Sequence, residues 1–127
     1  MIVLDASVLI AHLDGNDAHH EKAGRLLRES EGEALAASTI TLAEALVAGA
    51  RTGQLRELRE AIERLGVTEL LTGSDAHVRL AELRAQTGHK LPDCCVLLAA
   101  KEIGGVVASF DSALIEAAKN LKLLTVS

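Results

Sequence analysis

Hydrophobic positions along this chain follow two rhythms. Short apolar runs, "MIVL" with its strand at 2–4, "GVVAS" at 105–109 and "KLLTV" near the end, read as strands buried on both faces. "EALAAS" is a weaker strand candidate near 34–38, and "VTELL" at 67–71 is another. Between them apolar residues recur every three or four positions. The clearest case is "QLRELREAIERLG", where Leu55, Leu58, Ile62 and Leu65 share one helical face. Further helices are predicted from just after Asp5 through Leu13, and from the "DGND" turn at 14–17 to about Ser30. Others cover "TLAEALVAGART", Ser74 to near Gly88, "PDCCVLLAAKEIG" and Asp111 to about Asn120. Gly53 after a last turn carrying Arg51 is a usual stop, and Pro92 suits a first helical position.

Strands alternating with helices predict an α/β fold of three layers, a central parallel sheet with helices on both faces. The 127 residues suit a single domain over 1–127 with a substantial core. Hydrophobic residues make up 49% but aromatic residues only 1%, with Phe110 the sole member, so the core must be Leu, Val, Ile and Ala. No apolar run approaches the ~20 residues of a membrane helix, and the start lacks the marks of a signal peptide. Adjacent Cys94 and Cys95 form no disulfide framework. The expectation is a cytoplasmic protein with no membrane partner. A net charge of −5 argues against broad coating of nucleic acid by charge alone.

The chemistry lies in four acids. Ligands of such sheets bind beyond the carboxyl ends of the strands. Asp5 ends the first strand, and Asp111 follows "GVVAS" by two residues. Glu44 and Asp93 fall in the first turns of predicted helices, and covering helices start at the edge where strands end. All four are therefore expected on one rim. Each also has a plain explanation at a helix start. Asp5 and Asp111 suit N-caps, "TLAE" reads as a capping box with Thr41 as cap, and Asp93 complements a helix dipole. Capping does not require acids to face one another, however. Four converging carboxylates need a cation or raised pKa values, and a hard ion such as Mg²⁺ takes oxygen ligands.

"MIVLDAS", "TLAEALV", "LPDCCVLLAA" and "VASFDSAL", in that order, resemble the PIN-domain nucleases. The short length and the form of "LPDCCVLLAA" are similar to the VapC toxins of toxin–antitoxin pairs. The resemblance implies a PIN-like fold and a metal-dependent endoribonuclease that hydrolyses RNA with metal-activated water. Its ligands to Mg²⁺, or Mn²⁺, would be Asp5, Glu44, Asp93 and Asp111, with Asp5 and Asp93 the most direct. It further implies 5′-phosphate and 3′-hydroxyl products, a homodimer, and a VapB-like antitoxin whose tail covers the acidic rim. Ser7 and Ser109, each two residues from a key acid, either orient a ligand or water, or make local turn bonds. Arg51 and Lys90 are the preferred contacts to RNA phosphates.

Other clusters read as structural. "HLDGNDAHH" straddles a turn and is expected to be a solvated loop, with His19 and His20 on different sides of a helix. Cys94 and Cys95 read as small buried hydrophobes, and "RELREAIER" as a solvated face of paired charges. Two other functions compete. A PIN-type RNA-processing nuclease outside a toxin pair would share every catalytic residue. A receiver-type binding domain would want an acidic pair at the first strand and a lysine after a late one, where this chain has a single Asp5 and "SFD".

Overall fold

A computed structural model describes residues 1–71 and 73–127. Five short strands form one sheet: β1 (Ile2–Leu4), β2 (Leu35–Ser38), β3 (Thr68–Leu70), β4 (Val106–Ala108) and β5 (Leu124–Val126). Every pairing is parallel, and the order is β3-β2-β1-β4-β5. Helices α1 (Ala6–Leu13) and α2 (His20–Glu29) join β1 to β2, and α3 (Thr39–Thr52) and α4 (Leu55–Leu65) join β2 to β3. α5 (Ala76–Thr87) and α6 (Leu91–Ile103) lead to β4, and α7 (Ser112–Asn120) leads to β5. The α/β expectation holds, as do all five strand positions.

Side-chain alternation along the central strand sorts the core into two layers. Val3 joins Val107 and buried residues of α5, α6 and α7 on one face. Ile2 and Leu4 face the other way, into Val8, Leu9, Leu26, Ala45 and Ile62 of α1 to α4. Alanines supply much of both layers. Ala36, Ala37 and Ala108 are fully buried in strands, so the helices come close to the sheet. α6 is buried from Cys94 through Ala100, which its unbroken apolar run requires. α3 and α4 also meet closely. A Cβ on Gly49 would stand 2.5 Å from Leu58 Cδ1 and 3.3 Å from the Gln54 backbone.

Helix boundaries follow the predicted stops. Gly53 and Gly104 both take left-handed conformations just past α3 and α6, which glycine adopts without steric cost. One start differs. β2 runs straight into α3, and Ser38, not Thr41, is the cap; its Oγ accepts the Thr41 N–H at 3.1 Å. Thr41 is fully buried, its hydroxyl 2.9 Å from that of Ser38. Glu44 therefore sits in the second turn of α3, and "TLAE" is not a capping box.

The strand order sets the place of the site. From β1 the chain steps outward to β2 and β3, then returns to the other side of β1 for β4 and β5. The carboxyl ends of β1 and β4 thus flank the point where the order reverses, where open α/β sheets bind ligands. Asp5 and Asp111 follow those two strands. Among the described residues no helix is long and apolar enough to cross a membrane.

Candidate active site

Asp5 answers for the expense of a carboxylate at a buried strand tip. It is only 7% exposed, and its backbone N–H continues the ladder to Ala108. Its position is an N-cap, yet its side chain makes no capping bond to α1. Instead Oδ2 lies 2.7 Å from Ser7 Oγ and 2.8 Å from Ser109 Oγ. Each hydroxyl has one proton to give and lone pairs to accept with. Having donated to Asp5, Ser7 Oγ accepts the Phe110 N–H and Ser109 Oγ accepts the Asp111 N–H, both at 3.0 Å. The 3.3 Å between the two hydroxyl oxygens is then a contact rather than a bond. This relay ties the loop after β4 to the tip of β1 and fixes one oxygen of Asp5. Oδ1 receives no hydrogen bond among the described residues.

Glu44 reaches the same place from α3. Partial loss of water raises its carboxyl pKa above the ordinary value, and the charges of Asp5 and then Asp93 raise it further. Glu44 on α3 thus lies near enough to feel both Asp5, just past β1, and Asp93 on α6. Asp93 lies in the first turn of α6, its Oδ2 3.1 Å from Nδ1 of His89. His89 is itself held. Its N–H donates to Thr87 Oγ1 at 3.2 Å, and its carbonyl accepts from Arg84 at 2.9 Å. Asp111 caps α7 with Oδ1, which accepts the N–H groups of Ala113 and Leu114 at 2.9 and 3.3 Å. For this acid the capping explanation is correct for one of its two oxygens.

The donors are hard carboxylate oxygens, and no Lys or Arg pairs with Asp5, Glu44 or Asp93 among the described residues. That chemistry suits a hard divalent cation. Among the described residues, however, no three His, Cys, Asp or Glu side chains are gathered tightly enough to hold an ion as they stand. The acids converge without closing into a finished coordination set.

Lys90 is the exposed cap of α6, three residues before Asp93. Arg51 lies in the last turn of α3, about 10 Å along the axis from Glu44 at 1.5 Å per residue. Cys94 and Cys95 are buried, and burial pushes both thiols up, so neither is a thiolate nucleophile. Two features went unread in the sequence. One is the His89–Asp93 pair, four residues apart as helical partners often are. The other lies in "DAHH". His20 Nδ1 meets the Ala11 carbonyl at 2.8 Å, and the His19 ring packs on Phe110 with centroids 5.2 Å apart. The segment is less a solvated loop than expected.

The family model for the PIN domain matches residues 2–120. The chain belongs to the PIN domain family. The receiver-type alternative is thereby set aside. No curated protein matches the sequence. Among solved structures this PIN domain resembles Mycobacterium tuberculosis VapC20, a sarcin–ricin-loop-cleaving toxin. The TM-score is 0.77 at 21% identity, over 92% of this chain and 95% of that one. A toxin–antitoxin complex from Klebsiella pneumoniae gives 0.75 at 23% identity, over 88% of each chain. FitAcB from Neisseria gonorrhoeae gives 0.74 at 20% identity, over 100% of this chain and 97% of that one. At these identities the likeness concerns the fold.

Proposed function

We propose that this PIN domain is a metal-dependent endoribonuclease, the toxin of a type II toxin–antitoxin pair. The observation that carries the reading is that Glu44 lies near enough to feel the charges of both Asp5 and Asp93, with no Lys or Arg paired to any of the three among the described residues. Fold likeness to VapC20 and to a toxin–antitoxin complex supports it.

Asp5, Glu44, Asp93 and Asp111 would hold Mg²⁺, or Mn²⁺. When bound, such an ion lowers the pKa of water and offsets charge on a phosphodiester. The chain's own residues prepare the place. Ser7 and Ser109 fix Asp5 through Oδ2 and leave Oδ1 for the cation. The His89 ring likewise orients Asp93 through its Oδ2. Asp111, with Oδ1 spent on α7, contributes through its other oxygen. Lys90 and Arg51 contact RNA phosphates on either side, and the products carry 5′-phosphate and 3′-hydroxyl ends. In the cell the protein is a cytoplasmic homodimer, silenced by a VapB-like antitoxin that lays a basic side chain against the acids. A processing nuclease outside a toxin pair would use the same residues; a short partner reading frame beside the gene separates the two.

The test is incubation with total RNA, with Mg²⁺ or with EDTA, followed by mapping of the cut ends. Cleavage with Mg²⁺, silence with EDTA and loss of activity in Asp5→Asn and Asp93→Asn support the reading. Activity that survives EDTA, or survives either substitution, contradicts it.

A further inference from the structure

The rim has a second, differently charged side. Phe110, the only aromatic ring of the phenylalanine, tyrosine and tryptophan type in the chain, stands between Ser109 and Asp111. Its N–H is spent on Ser7, so the ring is anchored to the relay that holds Asp5. Although apolar, it is only partly buried. The His19 ring packs on it at 5.2 Å with an interplanar angle of 30°, and Lys22 Nζ lies 5.1 Å from its centroid. Half of the His19 side chain, 53%, remains exposed. Lys22 and Arg25, one turn apart on α2, then line a groove of about 540 Å³ with Glu29, Ser30 and Val126. Val126 ends β5 and its carbonyl accepts the Ser109 N–H, so one end of the groove lies beside the loop that carries Phe110. Two rings and two cations thus gather beside the loop after β4, in a chain whose net charge is −5.

This is the pairing of features that single-stranded nucleic acid requires: a π surface for a base and cations for the backbone beside it. We propose that His19, Phe110, Lys22 and Arg25 form a nucleotide subsite. A base of the RNA next to the scissile bond stacks on the His19–Phe110 pair, and Lys22 and Arg25 hold the phosphates leading away along α2. The inference rests on the ribonuclease reading and names where its substrate lies. It gives the reaction a binding determinant apart from the acids, so a strand can be held by its bases while the acidic rim approaches only one phosphate.

The experiment measures binding by fluorescence anisotropy, with a labelled single-stranded RNA of about 12 nucleotides, within the usual range of site sizes. All proteins carry Asp93→Asn so that the strand is bound and not cut, and melting temperatures are recorded alongside. Phe110→Leu and His19→Ala should each weaken binding about tenfold, the loss of one stacked base, with the salt dependence unchanged. Lys22→Gln and Arg25→Gln should weaken binding and also flatten its salt dependence by about one charge each. His19 is exposed, so His19→Ala decides the matter should Phe110→Leu lower the melting temperature. Affinity within twofold of the parent for His19→Ala, or an unchanged salt slope for both cation variants, would overturn the subsite. The ribonuclease reading fails separately, when the protein with native Asp93 leaves total RNA intact in Mg²⁺.

Discussion

Ser109 donates its hydroxyl proton to Asp5 at 2.8 Å, joining residues 104 apart in sequence at the ends of adjacent strands. The same oxygen accepts the Asp111 N–H, so one buried hydroxyl sets the orientation of one acid and the backbone of another. Ser109→Ala removes both bonds and leaves the Asp111 N–H without its partner. The cost to stability should be about 1–3 kcal/mol, as for loss of a hydrogen bond to a buried carboxylate. Cleavage should fall roughly 10- to 100-fold, as when a ligand's supporting bond is lost. Thermal melting and RNA cleavage rates check the two effects. A variant with full activity would show that Asp5 does not need this hold.

Glu44 gives a pH prediction. Its carboxyl is raised above the ordinary value of 4.5 by partial loss of water and by the charges of Asp5 and Asp93. A raised carboxyl pKa means that the folded state favours the proton more than the unfolded state does. Its contribution is fully present below the unfolded pKa and is lost as pH rises through the folded one. At neutral pH, ionised Glu44 therefore works against the metal-free fold. Glu44→Gln should melt at a higher temperature than the native protein at about pH 7, with the difference shrinking toward about pH 4. The exposure of Glu44 keeps the effect small. Added Mg²⁺ should stabilise the native protein more than the variant. A variant that melts lower at neutral pH would contradict the account.

How far such pairings were legible in the sequence differs from residue to residue. Alternation of apolar runs with helical periodicity was enough for the parallel sheet, and the candidate acids could be picked from strand ends and helix starts. The start of α3 was misread because Ser38 and Thr41 are both good caps three residues apart, and nothing local shows a strand entering a helix without a loop. His19 on Phe110 was out of reach, since 91 residues separate them and only the tertiary fold brings the start of α2 to the loop after β4. The role of Ser7 and Ser109 was left open between turn bonding and support of a ligand. Their shared acceptor on Asp5 depends on β1 and β4 being neighbours, which periodicity cannot assign.

His89 supplies a third prediction. Its ring holds Asp93 Oδ2 at 3.1 Å, with the side chains 17% and 28% exposed. His89→Ala should free Asp93 to rotate and lower cleavage roughly tenfold, while the fold persists. His89→Gln, which keeps a hydrogen-bond donor, should recover part of the loss. Equal activity in native protein and His89→Ala, at several Mg²⁺ concentrations, would assign the pair to structure alone.

On the proposed function, carboxylates from separate elements jointly hold a hard cation. Anomalous diffraction from crystals grown with Mn²⁺ tests it most directly, because the ion reports its own position. The account predicts a peak bounded by Asp5, Glu44 and Asp93, lost in crystals of Asp93→Asn. Saturating Mn²⁺ with no peak among these side chains, or with the peak elsewhere on the surface, would contradict it.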